Sequence, residues 1–190
     1  MAPHFFLAAL AGVVLVAAGP ADARKKPEPA PAPAPAPVVP QVRTGDAAVD
    51  AYYFYDRSGA PLWLASDGGR QAAARVADIL RRAPIDGLAE GPVLAAGVEA
   101  AITGGTLDDD ALISLAWLKY VKALKAPVAG VEYGDPALAL KPPTAKQVLG
   151  EVVSVPSPLV HVDQVASVNP FYSTLREAAL AGGTGADSQV

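Results

Sequence analysis

The chain has 190 residues, enough for one hydrophobic core, and its 15 Lys and Arg against 19 Asp and Glu leave a formal net charge of −4. A mildly acidic chain lacks the excess of basic residues that neutralises phosphates, so we expect no nucleic-acid partner. It contains no cysteine and two histidines, which excludes disulfides, thiolate metal sites and a cysteine nucleophile. We therefore predict no catalytic, metal or cofactor-binding residue.

The N-terminus has the pattern of an export signal. Phe5 to Ala18 is an uncharged apolar run, and residues 21 to 23 place alanines at the two positions that a signal peptidase reads. The run is shorter than the roughly 20 apolar residues of a membrane-spanning helix, so we predict a signal peptide over residues 1–23 and a periplasmic or cell-envelope location. The bases at 24 to 26 resist translocation, which leaves an uncleaved membrane anchor as the alternative.

Residues 24–43 form a linker in which Pro and Ala alternate from Pro27 onward. Proline fixes φ and cannot donate a hydrogen bond, so this stretch is predicted to be a semi-rigid polyproline II spacer. An unstructured tether and a ligand for a proline-binding module are the alternatives.

Residues 44–181 are predicted to form one mainly α, irregular helical domain of about five to six helices, and 182–190 a flexible tail or the next linker. A short helix over Asp46 to Tyr53 is capped by Thr44 or Asp46. The segment from Pro61 to Leu64 is extended, because a residue before proline avoids the helical region.

The next helix is predicted over 68–83 with Asp67 as its N-cap, and Pro84 ends it. Its apolar stripe consists of Ala72, Val76, Ile79, Leu80 and Ala83. Gly87 is expected to supply a positive φ in the following turn. Pro92 then begins another helix, which stops at Gly104-Gly105.

The longest and most buried helix begins at Thr106 to Asp110, where the acids complement the helix dipole. A further helix runs from its Thr144 cap through Val153, with Val153 predicted to face inward, and Pro156 and Pro158 break it. The last helix has Asn169 as N-cap and ends at Gly182-Gly183.

Residues that carry chemistry are sparse. His161, predicted to lie in a loop with Ser157 and Asp163 nearby, is interpreted as a surface or structural residue rather than part of a triad. The three acids at 108–110 lack the alternating ligands of a calcium loop. No carboxylate pair is favoured for glycoside hydrolysis.

The aromatic residues Tyr52 to Tyr55 and Trp63 allow two interpretations. They could stack on sugar rings, or they could build the core or an interface. A helical domain with 6% aromatic residues needs its large side chains inside, so we favour core or interface.

Four stretches carry a family resemblance: Phe54-Tyr55 with Pro61-Leu62-Trp63, the turn Ala83 to Leu88, the helix from Asp110 to Tyr120, and Asn169 to Tyr172 leading to Leu175-Arg176. Their order, over about Val49 to Leu180, resembles the N-terminal scaffold domain of YcbB-type murein L,D-transpeptidases. The predicted scaffold motif or docking residues are Phe54, Tyr55, Pro61, Trp63, Asp86, Gly87, Leu88, Tyr120, Pro170, Tyr172, Leu175 and Arg176.

The resemblance implies a role in peptidoglycan cross-linking. In that family a YkuD-type catalytic domain follows, and the cysteine of its [Ser/Thr]-His-Gly-Cys motif attacks a stem peptide; a thiolate suits that attack. This sequence has no counterpart of that cysteine, so we predict that the chain is inactive alone and is truncated at a domain boundary. Its expected partners are that catalytic domain and peptidoglycan. Tyr52 to Trp63 and Asn169 to Leu180 are expected to contribute to an apolar docking surface. The alternative is a freestanding periplasmic protein- or glycan-binding module.

Overall fold

The computed structural model describes residues 39–126, 134–135 and 141–182. Within these ranges the chain is helical and has no strand, which confirms the mainly α prediction. The elements are α1 (Ala47–Ala51), a π-helical turn (Tyr52–Asp56), α2 (Asp67–Arg82), α3 (Gly91–Gly104), α4 (Leu107–Leu124), α5 (Ala145–Ser154), α6 (Pro158–Ser167) and α7 (Pro170–Gly182). The predicted signal peptide, most of the linker and the tail after residue 182 lie outside the described residues.

Side-chain caps fix most helix starts where the sequence predicts them. Asp46 accepts from Ala48 N and Val49 N in the first turn of α1, and Asn169 Oδ1 accepts from Tyr172 N at 2.8 Å in α7. Reciprocal capping boxes begin α4, at Thr106 with Asp109, and α5, at Thr144 with Gln147. The cap of α2 was predicted wrongly. Ser66 accepts from Gly69 N at 3.1 Å, and Asp67 is the first helical residue.

Helix α6 is absent from the sequence prediction, which interpreted Pro156 and Pro158 as breaks. Pro158 instead lies in the first turn of α6 behind an N-cap at Ser157, because the fixed φ of proline suits a position whose N–H has no helical partner. His161 consequently lies on a helix and not in a loop.

The core forms where α2 packs against α3 and α6, with α4 against α3. The predicted stripe of α2 is buried from Ala72 to Ala83, and α4 contributes Trp117 and Tyr120, both fully buried. The prediction for Val153 is wrong. It lies 46% exposed because its neighbour Val152 occupies the inner face of α5.

Helices α2 and α3 approach too closely for a side chain at Gly91. A Cβ there would lie 2.4 Å from Leu80 O and 2.8 Å from the Ala83 Cβ. We expect Gly91→Ala to destabilise the fold by about 1–3 kcal/mol through overpacking, measured by urea denaturation. Gly97→Ala is the control in the same helix. Apart from its chain neighbours and the backbone of its own helix, no atom lies within 4 Å of the Gly97 Cβ position, so the substitution should stabilise the fold by about 0.5–1 kcal/mol. Equal effects of the two substitutions would contradict this packing.

Candidate functional site

A buried carboxylate joins the start of α4 to the loop before α2. Asp110 is 0% exposed and accepts backbone N–H groups from Leu62 at 2.6 Å, Trp63 at 2.8 Å and Leu64 at 2.7 Å. The hydroxyl of Tyr53 also donates to this carboxylate. Multiple donors to one ionised group are what allow a charge to stay buried. The extended segment over 61–64 is therefore held by Asp110.

The hydroxyl of Ser114, one turn further along α4, completes this Asp110 cluster. Its Oγ lies 2.8 Å from both Trp63 Nε1 and Tyr53 OH. The sequence interpretation of Asp110 as a dipole-complementing acid missed this role. The sequence did offer one signal for this role. Asp110 is the first residue of a motif that carries the family resemblance, and it lies one residue beyond the capping box.

A second buried cluster forms around Asp86, in the turn after α2. Tyr120 OH donates to Asp86 Oδ2 at 2.9 Å, and Tyr172 OH donates to Oδ1 at 2.8 Å. Arg176 Nε lies 2.9 Å from Oδ1, close enough for an ion pair although its N–H is not aimed for a hydrogen bond. Arg176 Nη2 donates to Ala166 O at 2.8 Å, and its guanidinium carbon stands 4.9 Å from the centre of the Tyr172 ring.

The Asp86 cluster brings together predicted motif residues that are far apart in sequence. Asp86 comes from the turn after α2, Tyr120 from α4, and Tyr172 and Arg176 from α7. Gly87 has a φ of +90°, which confirms the predicted positive φ and lets the turn direct Asp86 inward. The cluster thus connects α7 to the body of the domain.

The other predicted motif residues divide between interior and surface. Trp63 is 0% exposed and Leu88 is buried, whereas Phe54 and Pro61 are half-buried and Tyr55 is 77% exposed. On α7, Pro170 and Leu175 are exposed.

Part of the first predicted docking segment, Tyr52 to Trp63, is therefore buried and not available for docking. Tyr52, Tyr53 and Trp63 pack inside the domain, as the core interpretation of these aromatics expects, and cannot contact a partner. On α7, Phe171 remains 75% exposed and Leu175 53% exposed. The docking role of the surface residues stays a prediction.

Both clusters oppose ionisation of a tyrosine. Burial, and secondly the charge of the neighbouring carboxylate, raise the pKa of Tyr53 beside Asp110 and of Tyr120 beside Asp86 above the ordinary phenol value. The unfolded chain ionises these tyrosines near pH ~10, while the folded protein keeps them protonated. Their contribution to stability is thus complete below that pH and is lost as the pH rises above it.

We expect the urea midpoint to fall steeply above pH ~10, with a slope in the free energy of unfolding of about 1.4 kcal/mol per pH unit for each protected tyrosine. Tyr53→Phe and Tyr120→Phe should each reduce that slope. A midpoint that falls equally in the wild type and both variants would contradict the assignment.

The groups near His161 do not form a triad. Ser157 caps α6, and Asp163 pairs with Arg75 at 2.6 Å. No group of three or more His, Asp or Glu in the described ranges is arranged to hold a metal ion. Among those same residues, no helix combines the length and apolarity needed to span a bilayer.

In the described residues, two buried polar clusters thus join loops to helices of a mainly α fold. The family model described as "Scaffold domain" matches residues 48–178. The chain belongs to this family, the N-terminal scaffold domain of L,D-transpeptidases, which confirms the resemblance. Comparisons with curated proteins and with solved structures found no match.

Proposed function

We propose that this chain is an exported scaffold that supports peptidoglycan cross-linking by an L,D-transpeptidase and does not carry out the reaction itself. Family membership supports the first part. The second part is supported by composition, because the family's reaction uses a cysteine thiolate and this chain has no cysteine. The export pattern of residues 1–23 supports a place in the cell envelope.

The observation that carries the proposal is the orientation of α7. Tyr172 and Arg176, four residues apart, turn inward to the Asp86 cluster. Phe171 and Leu175, also four residues apart, are left facing solvent. A Phe–Leu pair held outward on an anchored helix is suited to docking another domain. We propose that the domain it contacts is the YkuD-type catalytic domain.

The test is binding of a YkuD-type catalytic domain encoded in the same genome to the full exported chain, measured by isothermal titration calorimetry. Replacing Phe171 and Leu175 together by Ser should raise the Kd at least tenfold, because the substitution removes the apolar contacts that both side chains bury on docking. Val93→Ser is the matched control. Val93 is 76% exposed on α3, a different helix from the proposed docking pair, and its replacement should leave the Kd unchanged. An unchanged Kd in the α7 variant, or no binding by the wild type, would reject the proposal.

A further inference from the structure

Tyr55 presents its ring to solvent within a turn whose other tyrosines are buried. It is 77% exposed, whereas Tyr52 and Tyr53 in the same π-helical turn are buried. The centre of the Phe54 ring lies 4.9 Å from that of Tyr55 at an interplanar angle of 85°, an edge-to-face contact. A π-helical turn is rare and occurs frequently at functional sites.

Two clefts meet at Tyr55. The first has a volume of about 440 Å³ and is bordered by Gln41, Arg43, Asp50 and Phe54 together with Tyr55. The second has a volume of about 270 Å³ and is bordered by Tyr52, Asp56, Thr144 and Lys146 together with Tyr55. The first lies within the range of roughly 300–1,000 Å³ that is usual for small-ligand sites.

The polar groups of the clefts are mixed and their charges balance. In the first cleft Arg43 stands with Asp50, whose Oδ1 accepts from Thr44 N at 2.9 Å and Thr44 Oγ1 at 2.7 Å. In the second, Lys146 pairs with Asp56. Charged ligands would meet one like charge in each cleft, so the balance favours a neutral ligand that both donates and accepts hydrogen bonds.

We propose that Tyr55 is the stacking platform of a saccharide-binding site that takes a neutral oligosaccharide. A sugar ring has an apolar C–H face that packs on an aromatic ring, and hydroxyls that reach the amide, carboxylate and guanidinium groups of the clefts. Both clefts border Tyr55, so sugars adjacent to the one that packs on its ring have a place to bind. The site does not depend on docking by α7, because a free saccharide binds whether or not a catalytic domain is present.

The probe is chitotetraose, titrated into the full exported chain and followed by NMR chemical shifts. We expect weak, saturable binding that Tyr55→Ala weakens at least tenfold and that Tyr55→Phe, which keeps the ring, changes less than threefold. Phe171→Ala is the matched control. Phe171 has similar exposure, 75%, but borders neither cleft, and its removal should leave the affinity unchanged.

The proposal would be overturned by the absence of saturable binding to the wild type, by full affinity in Tyr55→Ala, or by an equal loss in Phe171→Ala. Binding of an Ala-Pro repeat peptide at Tyr55 in place of the saccharide would also overturn it, because it would assign the clefts to a polyproline ligand. Thermal melting of each variant verifies that lost binding reflects the removed ring and not unfolding.

Discussion

Replacement of Asp110 by Ala is expected to remove most of the stability of the domain. Three backbone N–H groups lose their shared acceptor: those of Trp63 and Leu64 are buried and that of Leu62 is part-buried. The Tyr53 hydroxyl loses its bond to the carboxylate but keeps those to Ser114 Oγ and the Asp110 carbonyl. A buried donor left without a partner costs about 1–3 kcal/mol, so the total is on the order of 4 kcal/mol or more. Since small domains have about 5–15 kcal/mol in all, the variant should be partly or wholly unfolded at room temperature.

Urea denaturation followed by circular dichroism measures this effect, and the adjacent acids provide graded controls. Asp108→Ala alters an exposed residue and should cost well under ~1 kcal/mol. Asp109→Ala breaks the capping box with Thr106 and should cost about 1 kcal/mol. Asp110→Asn retains one acceptor oxygen and should fall between Asp109→Ala and Asp110→Ala. A cost for Asp110→Ala no larger than that of Asp108→Ala would show that the cluster does not hold the loop.

The second large effect is expected at the ion pair that anchors α7. Arg176→Met leaves the Asp86 carboxylate buried without its cation, and removal of one partner of a buried pair costs about 3–5 kcal/mol. Arg176 is the one buried residue of α7, so the structure can respond by releasing that helix. We expect amide hydrogen exchange in α7 to accelerate at least a hundredfold, while α2 and α4 keep their protection.

A double-mutant cycle separates the ion pair from simple loss of packing. Asp86→Asn combined with Arg176→Met leaves no lone charge, so its cost should be smaller than the sum of the two single costs. Tyr172→Phe removes one hydrogen bond but keeps the ring against the guanidinium, and should cost about 0.5–1.5 kcal/mol. Strictly additive costs, or unchanged exchange in α7 of Arg176→Met, would contradict an anchoring role.

Features determined by neighbouring residues were predictable from sequence. The caps at Asp46, Thr106 and Thr144 and the positive φ of Gly87 follow from local backbone chemistry, and the stripe of α2 follows from helical periodicity. Proline is ambiguous because it both ends helices and begins them, and for that reason α6 was missed at Pro158.

Features that depend on contacts across the chain were not predictable in the same way. Three successive acids look alike in sequence, and only the approach of the loop over 61–64 makes Asp110 different from Asp108. The resemblance identified Asp86, Tyr172 and Arg176 as motif residues but gave no reason for them to meet. The π-helical turn over Tyr52–Asp56 determines which tyrosine faces solvent, and no sequence pattern predicts its i→i+5 hydrogen bonding.

The proposal that this chain supports cross-linking without catalysing it is tested most directly by incubating the full chain with purified muropeptides. L,D-cross-linked dimers are then measured by mass spectrometry. We predict none from the chain alone, and faster dimer formation when it is added to the YkuD-type catalytic domain than with that domain by itself. Dimers formed by the chain alone would contradict the proposal, because they would require a nucleophile that a scaffold without cysteine does not have.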